Sequence, residues 1–159
     1  MFQMMKNLMD LIFKFGGRRK KVKFKIEGKP IGKGRPRFTN AGGYVRTYTP
    51  ASTKEYEEEI ARAFNLQCKI DDEDFEKEVY MKIEAHFEPP KSTSKKIRQL
   101  LVQGMGYRHK PDIDNITKIV LDGLNGVAYK DDNQITKIEA KKIYNETSYI
   151  EVEINYLED

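Results

Sequence analysis

Cysteine is nearly missing from these 159 residues: Cys68 stands alone, which excludes an internal disulfide and fits a reducing compartment. Long hydrophobic runs are missing too, and nothing approaches the roughly 18 apolar residues needed to span a bilayer. A secretory leader is not evident either, because Lys6, Asp10 and Lys14 interrupt the apolar residues near the start. No internal repeat or low-complexity tract occurs. With 38% hydrophobic and 34% charged residues the protein is surface-rich, its length fits one domain with a real core, and a cytoplasmic location is the expectation.

Acid is scarce in one region. Between Arg18 and Arg37 there are ten Lys or Arg and one acid, Glu27, a net of +9; since the whole chain is +4, the remainder sums to −5. A basic strip with an acidic cluster elsewhere suits a polyanion that is both gripped and attacked. A solvated basic face is the plainer alternative.

Periodicity gives the elements. Residues 1–17 read as a short amphipathic helix, with Phe2, Met5, Met9, Ile12 and Phe15 on one side and Gly16-Gly17 as its stop. Residues 22–26 alternate as a half-buried strand. A Gly-, Pro- and Arg-rich loop or open hairpin follows to Tyr44. Its glycines allow close approach to a ligand, and Arg35 and Arg37 offer forked donors matched to phosphate. A helix is expected from Thr49-Pro50-Ala51-Ser52 to about Leu66, capped by Ser52 or Thr49 and burying Tyr56, Ile60, Ala63 and Phe64, with Leu66 or Gln67 at the end of that face. An acidic linker, 71–78, leads to a strand over 79–87. A short helix over 95–102 comes next, opened by Ser92 or Ser94.

The most informative stretch is Lys110-Pro111-Asp112-Ile113-Asp114-Asn115-Ile116-Thr117-Lys118 and its continuation to Asp131-Asp132. Five aspartates fall between positions 112 and 132. A compact carboxylate set with a lysine suits hard divalent cations held against a phosphodiester. On a helix starting after Asp112, Lys118 lies roughly 40° and Asp122 roughly 80° around from Asp114, opposite Ile113, Ile116, Ile119, Val120 and Leu124. Each acid also has a plain structural reading: Asp112 as a helix cap, Asp114 as a first-turn acid, Asp122 as a partner of Lys118, Asp131-Asp132 as a polar turn. Asn125-Gly126 ends the helix, and residues 127–129 form a short extended piece. Two strands, 134–144 and 149–156, joined as a hairpin by residues 145–148, close the chain. The expected fold is α/β (α+β): a two-layer sandwich of a mixed, partly antiparallel four-stranded sheet with helices on one face.

Three motifs carry a resemblance. Residues 110–118, the run Leu121-Asp122-Gly123-Leu124-Asn125-Gly126 and the run Tyr129-Lys130-Asp131-Asp132-Asn133-Gln134-Ile135 occur in the order found in the RusA family. Gly34-Arg35-Pro36-Arg37 and Tyr48-Thr49-Pro50-Ala51 are similar to its N-terminal half. The family comprises Holliday junction resolvases, largely of phages and prophages, and the likeness covers roughly residues 22–156. Residues 1–21, read as an amphipathic helical extension and basic linker, lie outside the likeness, and 22–159 is expected to be the nuclease domain. The likeness implies a homodimer that nicks four-way DNA junctions symmetrically in recombination and repair, using Mg²⁺ or Mn²⁺, in the cytoplasm of a bacterium or a phage-infected host. By that likeness Asp112, Asp114, Lys118 and Asp132 are catalytic. The metal is expected on Asp112, Asp114 and Asp132 with Asp131 beside them, and Asn115 and Asp122 are supporting candidates. Lys33, Arg35, Arg37, Arg46 and Lys110 are expected to hold DNA. His86 and His109 are given no chemical role. The rivals are a nuclease for flaps and other branched DNA, a non-catalytic DNA-binding accessory protein, and an unrelated α/β domain.

Overall fold

The computed structural model describes residues 20–41 and 44–157; the helix expected over 1–17 lies outside them. Alternating Val22, Phe24 and Ile26 make β1 (Lys20–Glu27), the first strand of the main sheet. Next come β2 (Arg37–Ala41) and β3 (Tyr44–Tyr48), a two-stranded antiparallel ribbon where the sequence left a loop or open hairpin. Helix α1 (Ala51–Gln67) buries Tyr56, Ile60 and Phe64. Its cap is Pro50, with no side-chain hydrogen bond, instead of Ser52 or Thr49, and Leu66 is exposed.

The acidic linker holds a four-residue turn of helix, α2 (Asp72–Phe75), closed by a capping box between Asp71 and Asp74. Buried Asp74 also meets Lys20 at 2.5 Å. Strand β4 (Glu78–Phe87), helix α3 (Lys95–Val102, capped by Ser94) and helix α4 (Ile113–Leu124) follow. Residues 126–128 form a turn instead of an extended piece, because Gly126 (φ 73°) reverses the chain and its N–H donates to the Tyr129 carbonyl. A 3₁₀ turn (Asp132–Gln134) then leads to β5 (Ile135–Tyr144) and β6 (Tyr149–Leu157).

The sheet order is β1-β6-β4-β5. Strands β5 and β6 therefore do not form the expected hairpin. Strand β4 lies between them, parallel to β5 and antiparallel to β6. The link from Asn145 to Ser148 passes the end of β4 and is fastened there, since Asn145 N–H donates to the Phe87 carbonyl and Glu88 N–H to Ser148 Oγ. Four residues span this gap because they cross only one strand.

The two faces of the sheet differ completely. One packs Phe24, Ile26, Met81, Ile83, Ile150, Val152 and Ile154 against α1 and α4. Gly123 allows the helices to touch: a Cβ there would lie 3.0 Å from both the Glu57 carbonyl and Ile60 Cβ. The open face is an ion-pair lattice, with Lys21–Glu153 at 2.9 Å, Lys23–Glu151 at 2.8 Å and Lys141–Glu84 at 2.9 Å. Edge strand β5 leaves Ile138 and Ala140 exposed although both share the core-facing register. That lattice changes the meaning of the basic stretch. Lys20, Lys21, Lys23 and Lys25 answer acids of this chain. Among the described residues of the stretch, Lys29, Arg35 and Arg37 have no such partner.

Candidate nuclease site

Helix α4 is amphipathic for the reason its sequence gives. Ile116, Ile119, Val120 and Leu124 are buried, while Asp114 and Lys118 stand exposed one turn apart on the opposite side. Ile113, expected with the apolar stripe, is 37% exposed. Asp112 occupies the cap position but makes no capping bond; its carboxylate accepts from Lys110 Nζ at 3.0 and 3.3 Å. Among the described residues, Asp114 and Lys118 have no side-chain ion pair.

The loop before α4 is held from the sheet. Lys142 Nζ, on β5, donates to the carbonyls of His109 and Pro111, both at 2.9 Å. Sequence reasoning missed this lysine, because nothing local distinguishes it from Lys141 beside it. The loop is also held from the basic strap, residues 28–36 between β1 and β2. Lys33 N–H donates to the Asn115 carbonyl at 2.9 Å, and a Cβ on Gly32 would stand 2.8 Å from Pro111 Cβ. Only glycine lets the strap lie so close.

Lys33 itself departs from the expected role. Its ammonium turns inward to Asp122 and to Glu57 at 3.1 Å, instead of outward to a phosphate. Burial works against its charge, yet these two carboxylates raise its pKa above that of an ordinary lysine. Asp122 accordingly pairs with Lys33 and not with Lys118. Arg35 and Arg37 are exposed. Arg46 pairs with Thr39 across the ribbon; its side chain lies outside the described set.

The paired aspartates divide their work. Asp131 Oδ1 accepts from Asn133 N–H at 2.9 Å, and Asp131 N–H donates to Gln134 Oε1, so Asp131 caps the 3₁₀ turn. Asp132 remains exposed. Gln134 anchors the turn by donating to the carbonyls of Phe75 and Lys77. Buried Tyr129 joins it to α4 through a 2.8 Å bond to the Leu121 carbonyl. Burial pushes the Tyr129 phenol pKa up, and the carboxylates of Asp132 and Asp122 push it the same way, so both act on one side chain.

The donor set fits a hard divalent cation: Asp112, Asp114 and Asp132 offer exposed carboxylate oxygens. Among the described residues, no three acids, histidines or cysteines already enclose a site. Mg²⁺ does not require such a cage, since it is commonly held by one or two carboxylates, water and substrate phosphate. Arg108, two residues before Lys110, lines a cleft of about 510 Å³ with Lys29, Phe87, Glu88 and Lys91, its guanidinium 5.2 Å from the Phe87 ring centroid. Lys29, Lys91 and Arg108 were also missed from sequence, being scattered in the chain. His109 is exposed, and His86 is buried against Tyr149 with its ring centroid at 4.0 Å.

The family model described as endodeoxyribonuclease RusA matches residues 27–155. The chain belongs to the RusA endodeoxyribonuclease family. The matched span opens at the end of β1 and closes within β6, so it contains every element just described around the aspartates. The chain is also similar to the uncharacterized protein YqaN of Bacillus subtilis (strain 168), at 32% identity over 136 residues, covering 84% of this chain and 94% of the relative. Among the described residues, no helix is long and apolar enough to cross a membrane.

Proposed function

We propose that this member of the RusA family is a metal-dependent, structure-specific endonuclease that resolves four-way DNA junctions by paired, symmetric nicks in recombination and repair. The observation that carries the reading is the exposed Asp112, Asp114 and Lys118 at the start of α4, with Asp132 presented by a turn that Tyr129 ties to the same helix.

Asp112, Asp114 and Asp132 would hold Mg²⁺ or Mn²⁺. Such a cation, when bound, supplies charge neutralisation at the phosphate and a water of lowered pKa. Lys118, one turn from Asp114, donates to a phosphoryl oxygen as negative charge builds there. Lys110 balances Asp112 in the free protein and can transfer its ammonium to a neighbouring phosphate. Attack by water at phosphorus breaks the bond to O3′, leaving a 5′-phosphate and, once O3′ takes a proton, a 3′-hydroxyl. Arg35, Arg37 and the cleft cations Lys29, Lys91 and Arg108 grip the backbone of the arms. Two nicks related by a two-fold axis call for two sites so related, hence a homodimer.

The test is cleavage of a labelled synthetic four-way junction beside three-way, flap and linear duplex DNA, with Mg²⁺ and with EDTA. Ligatable, symmetric nicks only on the junction and only with Mg²⁺ bear the reading out. Equal cleavage of flaps and three-way DNA makes it a broader branched-DNA nuclease. Binding without cutting in Mg²⁺ or Mn²⁺ makes it an accessory protein.

A further inference from the structure

The β2–β3 ribbon pairs with no strand of the main sheet. A two-stranded ribbon alone is marginal in water, and this one exposes large apolar side chains on both sides. Register fixes the sides. Phe38 lies opposite Thr47 and Asn40 opposite Val45, so Phe38 and Val45 share one face; Arg37 lies opposite Tyr48 and Ala41 opposite Tyr44, so Arg37, Tyr44 and Tyr48 share the other. Phe38 is 71%, Val45 68%, Tyr44 77% and Tyr48 44% exposed.

From this arrangement we infer that the ribbon is a wedge that enters the branch point of the DNA and stacks its rings on the bases exposed there. The inference rests on the nuclease reading above and adds the element that would recognise the branch. Three observations select the occupant. First, a surface built to dock on another protein needs one apolar face, whereas this ribbon has two. An element with rings on both faces fits between two separated base stacks, where unstacked bases offer flat apolar surfaces on either side. Second, no Asp or Glu occurs between Glu27 and Glu55, while Lys29, Lys33, Arg35, Arg37, Arg46 and Lys54 do. Arg35 and Arg37 stand exposed at the root of the ribbon, where flanking phosphates would pass. Third, the ribbon grows directly from the strap that lies on α4, with Lys33 N–H on the Asn115 carbonyl and Gly32 against Pro111. The ribbon and the helix that carries Asp114 are therefore joined through one short strap, with Arg37 four residues after Lys33.

The experiment uses the full-length protein in EDTA with a four-way junction carrying 2-aminopurine next to the branch point, reading fluorescence, affinity by gel shift, and sedimentation of the protein alone. The wild type is expected to raise the fluorescence several-fold. Phe38→Ala combined with Tyr44→Ala should return it close to that of the free junction, weaken affinity by about ten-fold as expected for lost base stacking, and leave sedimentation unchanged. Tyr44→Phe alone should behave as wild type, because stacking needs the ring and not the hydroxyl. An undiminished fluorescence rise in the double variant overturns the wedge while leaving the nuclease reading intact. A changed sedimentation coefficient overturns it in favour of a contact between copies of this chain. Failure of the wild type to bind the junction at all overturns both the wedge and the reading beneath it.

Discussion

Lys33 is ion-paired with Asp122, so the basic strap and the aspartate-bearing helix are fastened together by the very charges that composition alone assigns to opposite partners. Glu57 of α1 completes the contact at 3.1 Å. The strap is thus part of the folded body at Lys33, and the cations it leaves to a polyanion flank that point, Lys29 before it and Arg35 and Arg37 after it.

Two kinds of basic residue should therefore separate experimentally. Lys33→Met leaves two partly buried carboxylates without their cation and should destabilise the protein by about 1–3 kcal/mol, read as a lower denaturant midpoint. The salt dependence of its DNA affinity should stay that of the wild type. Arg35→Ala combined with Arg37→Ala should do the reverse, keeping stability and reducing the slope of log affinity against log salt by up to about two. An unchanged slope in the double variant would remove these arginines from the DNA interface.

Asp114→Asn removes an exposed carboxylate that has no internal partner among the described residues. Stability should change by less than about 0.5 kcal/mol, junction binding should persist, and cleavage should fall by at least a hundred-fold. Normal cleavage by this variant would take Asp114 out of the chemistry.

Lys142→Ala withdraws the ammonium that holds the carbonyls of His109 and Pro111. The loop before Asp112 then loses its tie to β5. Cleavage should drop roughly ten- to hundred-fold, as misplacement of reacting groups does, with the loss chiefly in kcat and junction affinity nearly kept. A loss confined to affinity would mean that Lys142 contacts DNA directly.

Asp74 should govern part of the acid stability. Burial by itself would raise its pKa, but Lys20, the Asp71 backbone N–H and Lys77 hold its carboxyl below the usual carboxylate range. A depressed folded-state pKa contributes stability that is complete above the ordinary carboxylate range and is lost as pH falls through the lowered value. Asp74→Asn should thus be less stable than wild type at pH 7, by on the order of 1–3 kcal/mol. The two should converge as the medium is acidified below about pH 4. Parallel stability curves from pH 7 to pH 3 would assign the loss to the capping box instead.

What the sequence determined by itself is what depends on neighbours a few residues apart. The 3.6-residue spacing of Ile116, Ile119, Val120 and Leu124 marked α4 and its exposed acidic side, and alternation marked β1, β4 and β6. The motifs around Asp112, Asp122 and Asp132 were enough to mark the RusA family. Tertiary structure decided whatever joins distant residues. Strand β4 slips between β5 and β6 because its apolar face is continuous with both, and a four-residue link permits a hairpin or a one-strand crossing equally well. Asp131 caps while Asp132 stays free, because Gln134 is fastened to the carbonyls of Phe75 and Lys77 more than fifty residues earlier. Lys33 turns inward because Glu57 and Asp122, on two different helices, meet at its ammonium. Periodicity reports which face of an element is apolar; pairing and charge compensation depend on which elements meet, and that is settled only when the chain closes on itself.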